Sequence, residues 1–350
     1  MSSIWNNRIS VSIFGESQDP TAGITISGLP AGEFIDAEEV SSFMARRYPS
    51  ALRNSSQPCI QASPRIISGV LNERTTGAPL CALIQNAEIR HIEYPVEVPT
   101  DRVGTSDYTG TVRYRGYTDV MYLDKFTDRL TAPLCFAGAV CGQILERRGI
   151  YTGAHILQLH NIKDNPFDPV NISRDGVISV RSKDFPVIHD KKGWDMLADV
   201  EKARETGESL GGIVECAAIN VPAGVGSPLF DGLGNTIAQL IFGIPGVKGL
   251  EFGTGFGSAE MLGSQNDDEF CTDKFGRSFT KTNNHGGIIG GISSGMPITL
   301  KVGFVPALPV SAADSSSDHE ACFVPKAVPC VEAAVNIALL SHMLDYPNFC

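Results

Sequence analysis

Apolar residues recur along the chain with two spacings, and these divide it into strands and helices. Between 297 and 305, Ile298, Leu300, Val302 and Phe304 alternate with other residues, the period of a strand with one buried face. Strands are also predicted at 23–27 and 212–221, and two short ones within 65–84 on either side of the turn-rich 72–77. The helical period begins at Asp36, an N-cap with Glu39 three residues on, and continues through Val40, Phe43, Met44 and Arg47. A second helix from about 231 puts Leu233, Ile237, Leu240 and Ile241 on one face. Further helices are predicted at 132–148, with Pro133 in the first turn and Gly149 past the end, at 194–203, and at 331–344. Segment 86–110 is turn-rich and polar, and segment 160–192, dense in Pro, Asp and Asn, reads as a long surface excursion.

Parts of this pattern occur twice. Gly15-Glu16-Ser17, a strand and Pro30-Ala31-Gly32 are matched by Gly207-Glu208-Ser209, a strand and Pro222-Ala223-Gly224, and each copy runs on into a helix. Equal spacing of the two copies points to an internal duplication. The run Thr282-Asn283-Asn284-His285-Gly286-Gly287-Ile288-Ile289-Gly290-Gly291 stands apart from both patterns. So many glycines exclude a stable helix. They read either as bare backbone facing a ligand or as a turn leading into the strand at 297–305. The run matches neither a dinucleotide fingerprint nor a Walker loop.

Composition narrows the function classes. The chain has 350 residues, 42% of them hydrophobic, enough for a large core. A formal net charge of −11 argues against a nucleic-acid or membrane-surface partner held by bulk charge. An anionic ligand would need a local basic cluster. The first ten residues carry no hydrophobic signal core, and a cytoplasmic location is expected. Nine cysteines, none spaced CxxC, and seven histidines without an HExxH pair suggest buried thiols and no metal site.

Several collinear motifs resemble the chorismate synthase family. They are Phe14-Gly15-Glu16-Ser17, Arg46-Arg47-Tyr48-Pro49, Ile67-Ser68-Gly69-Val70 with Thr75-Thr76-Gly77, Gly207-Glu208-Ser209-Leu210-Gly211-Gly212 and Val247-Lys248-Gly249-Leu250-Glu251-Phe252-Gly253. Gly263-Ser264-Gln265-Asn266-Asp267-Asp268-Glu269, the glycine run, and Lys326-Ala327-Val328-Pro329 with Glu332-Ala333 complete the set. The resemblance implies an α+β fold, a β-α-β sandwich, internally duplicated, with helices packed between antiparallel sheets. It implies two pseudo-symmetric halves, about 1–150 and 200–350, in a single domain, and a homotetramer. The implied activity is a carbon–oxygen lyase that eliminates phosphate from 5-enolpyruvylshikimate 3-phosphate with reduced FMN. By the same resemblance Arg46, Arg47, Arg53 and Arg129 would bind the small anionic substrate. Lys125, Thr127, Asn284, Gly286, Gly287, Gly290 and Gly291 would face the cofactor. By spacing alone, Arg46 and Arg47 are a solvated helix face.

The sequence departs from the family at reactive positions. Gln18 and Thr105 stand where the family has its two catalytic histidines, and neither side chain titrates near pH 7. Val305-Pro306-Ala307 replaces the flavin-gripping Lys-Pro-Thr, and Asp318 replaces a flavin-binding Arg. An anion in place of a cation beside a phosphate turns attraction into repulsion. The expectation is a lyase of altered or reduced activity, with His319 or Glu320 as the remaining proton donors and weakened FMN binding. The alternative is a non-catalytic relative that binds an anionic metabolite or a partner subunit.

Overall fold

A computed structural model describes residues 3–15, 21–52, 64–85, 109, 112–115, 130–274, 276, 278–306 and 321–347. In chain order the first half supplies β1 (Ile4–Asn6), β2 (Ser10–Phe14), β3 (Thr21–Ser27), α1 (Ala37–Ala45), β4 (Pro64–Ser68), β5 (Val70–Leu71), β6 (Arg74–Thr75), β7 (Leu80–Gln85) and α2 (Thr131–Glu146). Next come β8 (Tyr151–Leu159), β9 (Ile162–Lys163), α3 (Arg174–Arg181), α4 (Asp190–Thr206), β10 (Gly212–Ile219) and α5 (Leu233–Ile241). The last part contains β11 (Val247–Phe252), β12 (Phe270–Thr272), β13 (Ser278–Thr280), β14 (Ile288–Ile289), β15 (Ile292–Ser293), β16 (Ile298–Phe304) and α6 (Val324–Met343).

Two antiparallel five-stranded sheets enclose a layer of helices. Sheet 1 has the order β1-β2-β3-β7-β4 and sheet 2 the order β9-β8-β10-β16-β11. The orders β2-β3-β7-β4 and β8-β10-β16-β11 are the same path drawn twice, so the repeated words mark a repeated fold. The repetition extends to single hydrogen bonds. After β3, the Thr75 hydroxyl donates to Pro30 O at 2.5 Å and accepts from Glu33 N at 2.9 Å. After β10, the Ser293 hydroxyl donates to Pro222 O at 2.6 Å and accepts from Val225 N at 2.9 Å.

The two central helices lie side by side and parallel. Cys135 meets Cys330, Gly138 meets Ala333 and Gly142 meets Asn336, so the contacts advance in the same direction along both helices. Gly138 permits this approach, since a Cβ there would lie 2.1 Å from the Ala333 Cβ. In α2 every residue from Thr131 to Leu145 is buried, and α6 is buried almost throughout. The one-faced pattern expected at 331–344 is therefore only part of a helix that begins at Val324 and packs on all sides. Its apolar composition is long enough to cross a membrane, but 94% of that stretch is buried in the fold. The 160–192 excursion is more ordered than its turn-rich sequence suggests. It contains β9 and α3, and Val177 of α3 packs on Gly153 of β8 against the outer face of sheet 2.

Candidate functional site: a cation cluster at the helix N-termini

Helix α1 is capped by the Asp36 carboxylate, which accepts from Glu38 N at 2.8 Å and Glu39 N at 3.1 Å. It ends at Arg46, and this ending directs two consecutive arginines into the molecule. The Arg46 guanidinium forms a two-pronged pair with Glu332 of α6, at 2.7 and 2.5 Å. Glu332 has no exposed surface and takes a third bond from Ala154 N at 2.9 Å. Both terminal nitrogens of Arg46 are thus committed to locking α1, α6 and β8 together, which departs from the substrate-binding role expected for it.

Arg47 is 1% exposed, so the solvated face expected from spacing is absent. Its guanidinium carbon lies 5.2 Å from the centroid of the Tyr48 ring, and Lys326 Nζ approaches the same ring at 5.5 Å. Two cations sharing one aromatic ring gain from its negative face while repelling each other. The N-termini of α2 and α6 lie at the same end, and neither carries a side-chain cap. Their dipoles add to the positive potential there. Cys135 faces Cys330 at 3.7 Å in the seam just behind. Burial and the Cys330 contact push the Cys135 thiol well above its ordinary range, against the opposing pull of Arg47 and Arg46. Such a thiol packs as an apolar group.

Many other expected site residues lie outside the described residues: Gln18, Arg53, Thr105, Lys125, Thr127, Arg129, His319 and Glu320. Several of their described flanks lie at the cation-cluster end. Gly15 and Thr21 meet there at the paired ends of β2, β3 and β7. Leu130 begins α2, Leu52 O accepts from Arg204, and Ala321 O accepts from Leu210 N beside the start of α6.

The glycine run is elsewhere. Gly287 packs on Pro297 and Ile298 at the start of β16, whereas Val324 of α6 adjoins Gly212, the partner of Phe304 at its far end. Six residues of strand separate the two ends by about 20 Å. The run forms the β14–β15 hairpin, and its turn residues Gly290 and Gly291 have φ of 62° and 86°. Its first-half counterpart β5–β6 turns through Asn72 and Glu73, also at positive φ. Hairpin geometry accounts for Gly290 and Gly291 without a ligand. Gly286 and Gly287 are fixed by close backbone approach, since a Cβ would lie 2.3 Å from Gly253 N or 2.4 Å from Pro297 O. The Asn284 side chain donates to Gln265 O at 3.1 Å and accepts from the Thr254 hydroxyl at 3.1 Å. Asp268 anchors the run through Thr282, Asn284 and His285. Burial pushes its carboxyl up, but these bonds outweigh that and hold it below the ordinary carboxylate range.

Lys326, Tyr48 and Glu332 were not expected at a site. The Lys326-Ala327-Val328-Pro329 motif carried a signal, but nothing in its spacing paired it with Arg47 across the fold.

The comparisons agree with this architecture along its length. The family model for chorismate synthase matches residues 9–344. Chorismate synthase of Lancefieldella parvula is 34% identical over 99% of this chain and 98% of its own length. That of Thermococcus gammatolerans is 37% identical over 96% of each. A solved structure titled "Crystal Structure of Chorismate Synthase" superposes with a TM-score of 0.79 at 26% identity, covering 97% of this chain and 92% of that one. With a duplicated sheet–helix–sheet fold and a match running through both copies, the chain belongs to the chorismate synthase family.

Proposed function

We propose that the chain is a chorismate synthase-type carbon–oxygen lyase with reduced or altered activity, acting on a small phosphate-bearing ring of the 5-enolpyruvylshikimate 3-phosphate class. The observation that carries this reading is Arg47, 1% exposed beside Lys326 and two uncapped helix N-termini in a chain of net charge −11. Such a cluster supplies the local positive potential that a multiply charged anion needs. Arg46 contributes indirectly, because its pair with Glu332 fixes the backbone from which Arg47 projects.

The elimination breaks the carbon–oxygen bond to phosphate, so negative charge grows on the departing oxygens, where fixed cations stabilise it. Reduced FMN is the cofactor that family membership implies. Val305, at the family's phosphate-gripping Lys position, is 41% exposed and has no charge to offer. At that position the residues do not fit the flavin phosphate, and no step is derived through the cofactor. Gln18 and Thr105 supply no proton donor near pH 7, which favours a second reading, an anion-binding relative without turnover.

Thermal unfolding with shikimate 3-phosphate, paired with an anaerobic assay for chorismate from 5-enolpyruvylshikimate 3-phosphate and reduced FMN, tests both. The ligand at a hundred times its Kd should add about 2.7 kcal/mol by mass action. Arg47→Ala should abolish that increment and lower any turnover. Stabilisation without turnover selects the binding reading. A melting curve unmoved at millimolar ligand sinks both.

A further inference from the structure

Sheet 2 carries two glycines that the fold does not require. Gly249 of β11 and Gly303 of β16 stand opposite each other on the outer face of the sheet, and Gly303 is in turn opposite Ile213 of β10. Neither glycine has a positive φ. A Cβ at Gly249 would meet nothing within 4 Å, and one at Gly303 nothing nearer than 3.9 Å. The other glycines in these strands fill tight places: a Cβ at Gly153 would lie 2.6 Å from Val177, and one at Gly212 would lie 2.3 Å from Gln158 O. Glycine weakens the interior of a strand, and it is found there where a ligand or another backbone comes close.

The two glycines line a cleft of about 830 Å³. Leu210 and Ile213 give it an apolar edge, the last two turns of α4 contribute Asp199 and Lys202, and Lys248 and Val305 also line it. Its charges are unevenly matched. Asp199 is bonded to His160 at 2.9 Å, and Glu208 is also engaged. The side chains of Lys202 and Lys248 have neither a hydrogen bond nor an ion pair among the described residues. A cleft of this size suits a small organic ligand, and two unpaired ammonium groups beside bare backbone suit a flat anion.

We propose that this cleft binds a planar aromatic carboxylate, its ring lying on the peptide groups of Gly249 and Gly303 and its carboxylate held by Lys202 and Lys248. Side chains at the two glycines would lift the ring off the strands, which accounts for glycine where the fold itself has room for a larger residue. Leu210 and Ile213 cover the apolar edge of the ring. Gly212 faces Val324 of α6, whereas its neighbour Ile213 and the two glycines face away from the helices. The cleft therefore shares an end of sheet 2 with the cation cluster but lies on the opposite face, and it is independent of the lyase site.

Calorimetric titration of the full chain with 2-naphthoate, its neutral isostere 2-naphthamide and the saturated decahydro-2-naphthoate tests this. 2-Naphthoate should bind saturably and at least about tenfold tighter than either control, since one lacks the charge and the other the flat ring. Lys248→Met should weaken its binding by at least about tenfold. Gly303→Val should abolish binding with a melting temperature no lower than that of the native chain, because valine suits a strand and its Cβ enters open space. Arg47→Ala should leave naphthoate binding unchanged. Should Gly303→Val fail to fold, weakened binding in Gly303→Ala and the two control ligands still decide. Equal binding of either control, indifference to Lys248→Met and to the Gly303 variants, or loss of binding in Arg47→Ala overturns the proposal. So does displacement of 2-naphthoate by FMN, which would make the cleft part of the cofactor site, or the absence of saturable binding up to millimolar concentration.

Discussion

His155 has no exposed side chain and lies between Glu215 and Asp164. Burial opposes its charge, but the contact with Asp164, then the bond to Glu215 and the two carboxylate charges, outweigh burial and raise its pKa above the ordinary 6.5. Asp164 is shifted the other way: burial raises it, while His155 and the backbone donors hold it below 3.8. The imidazolium therefore stabilises the fold fully below about pH 6.5, and that contribution fades as pH rises through the folded-state pKa. The Asp164 contribution is present above about pH 4 and fades as pH falls through its lowered value. Melting temperatures should decline from pH 6 towards pH 9 more steeply in the native chain than in His155→Gln. Parallel profiles of the two proteins over that range would mean that His155 is neutral in the fold.

Helices α2 and α6 owe their contact to small residues, since Gly138 sits directly on Ala333. A methyl at Gly138 would drive the two most buried helices apart and carry both sheets with them. Gly138→Ala should cost about 1–3 kcal/mol as overpacking, although alanine is the better helix former. Gly263 offers the matched control, because a Cβ there meets nothing within 4 Å. Thermal unfolding should show a lowered midpoint for Gly138→Ala and an unchanged one for Gly263→Ala. Equal midpoints would show that the seam can relax. The same seam aligns the helix N-termini beside Arg47, so Gly138→Ala should also weaken shikimate 3-phosphate binding.

Family membership implies a homotetramer, and the surface carries side chains suited to one. Phe230 is 92% exposed, Phe256 83% and Leu229 79%, values that are costly for large apolar groups left in water. Light scattering on the eluting protein should give four times the chain mass of 37.4 kDa. Phe230→Asp together with Phe256→Asp should shift that mass downwards while leaving the monomer fold intact, because neither ring belongs to the core. A monomeric native protein would rule the tetramer out.

The strand at 297–305, the helix after Asp36 and the two copies of Gly-Glu-Ser and Pro-Ala-Gly were legible in the sequence. Period, capping and repeated words are properties of neighbouring residues. The same local information was blind to burial on all sides. An apolar stripe marks α6 only from 331, whereas a helix between two sheets has no polar face to show. Arg46 and Arg47 looked alike in sequence, and only the fold separated them, giving one to Glu332 at 286 residues' distance and the other to the helix ends. The glycine run could be read as a ligand wall or as a turn until its φ angles matched those of Asn72 and Glu73 in the other half. Sequence determined the elements, their order and their duplication. Tertiary structure decided which charges meet, because pairings such as His155 with Glu215 and Arg46 with Glu332 depend on where distant strands and helices come to lie.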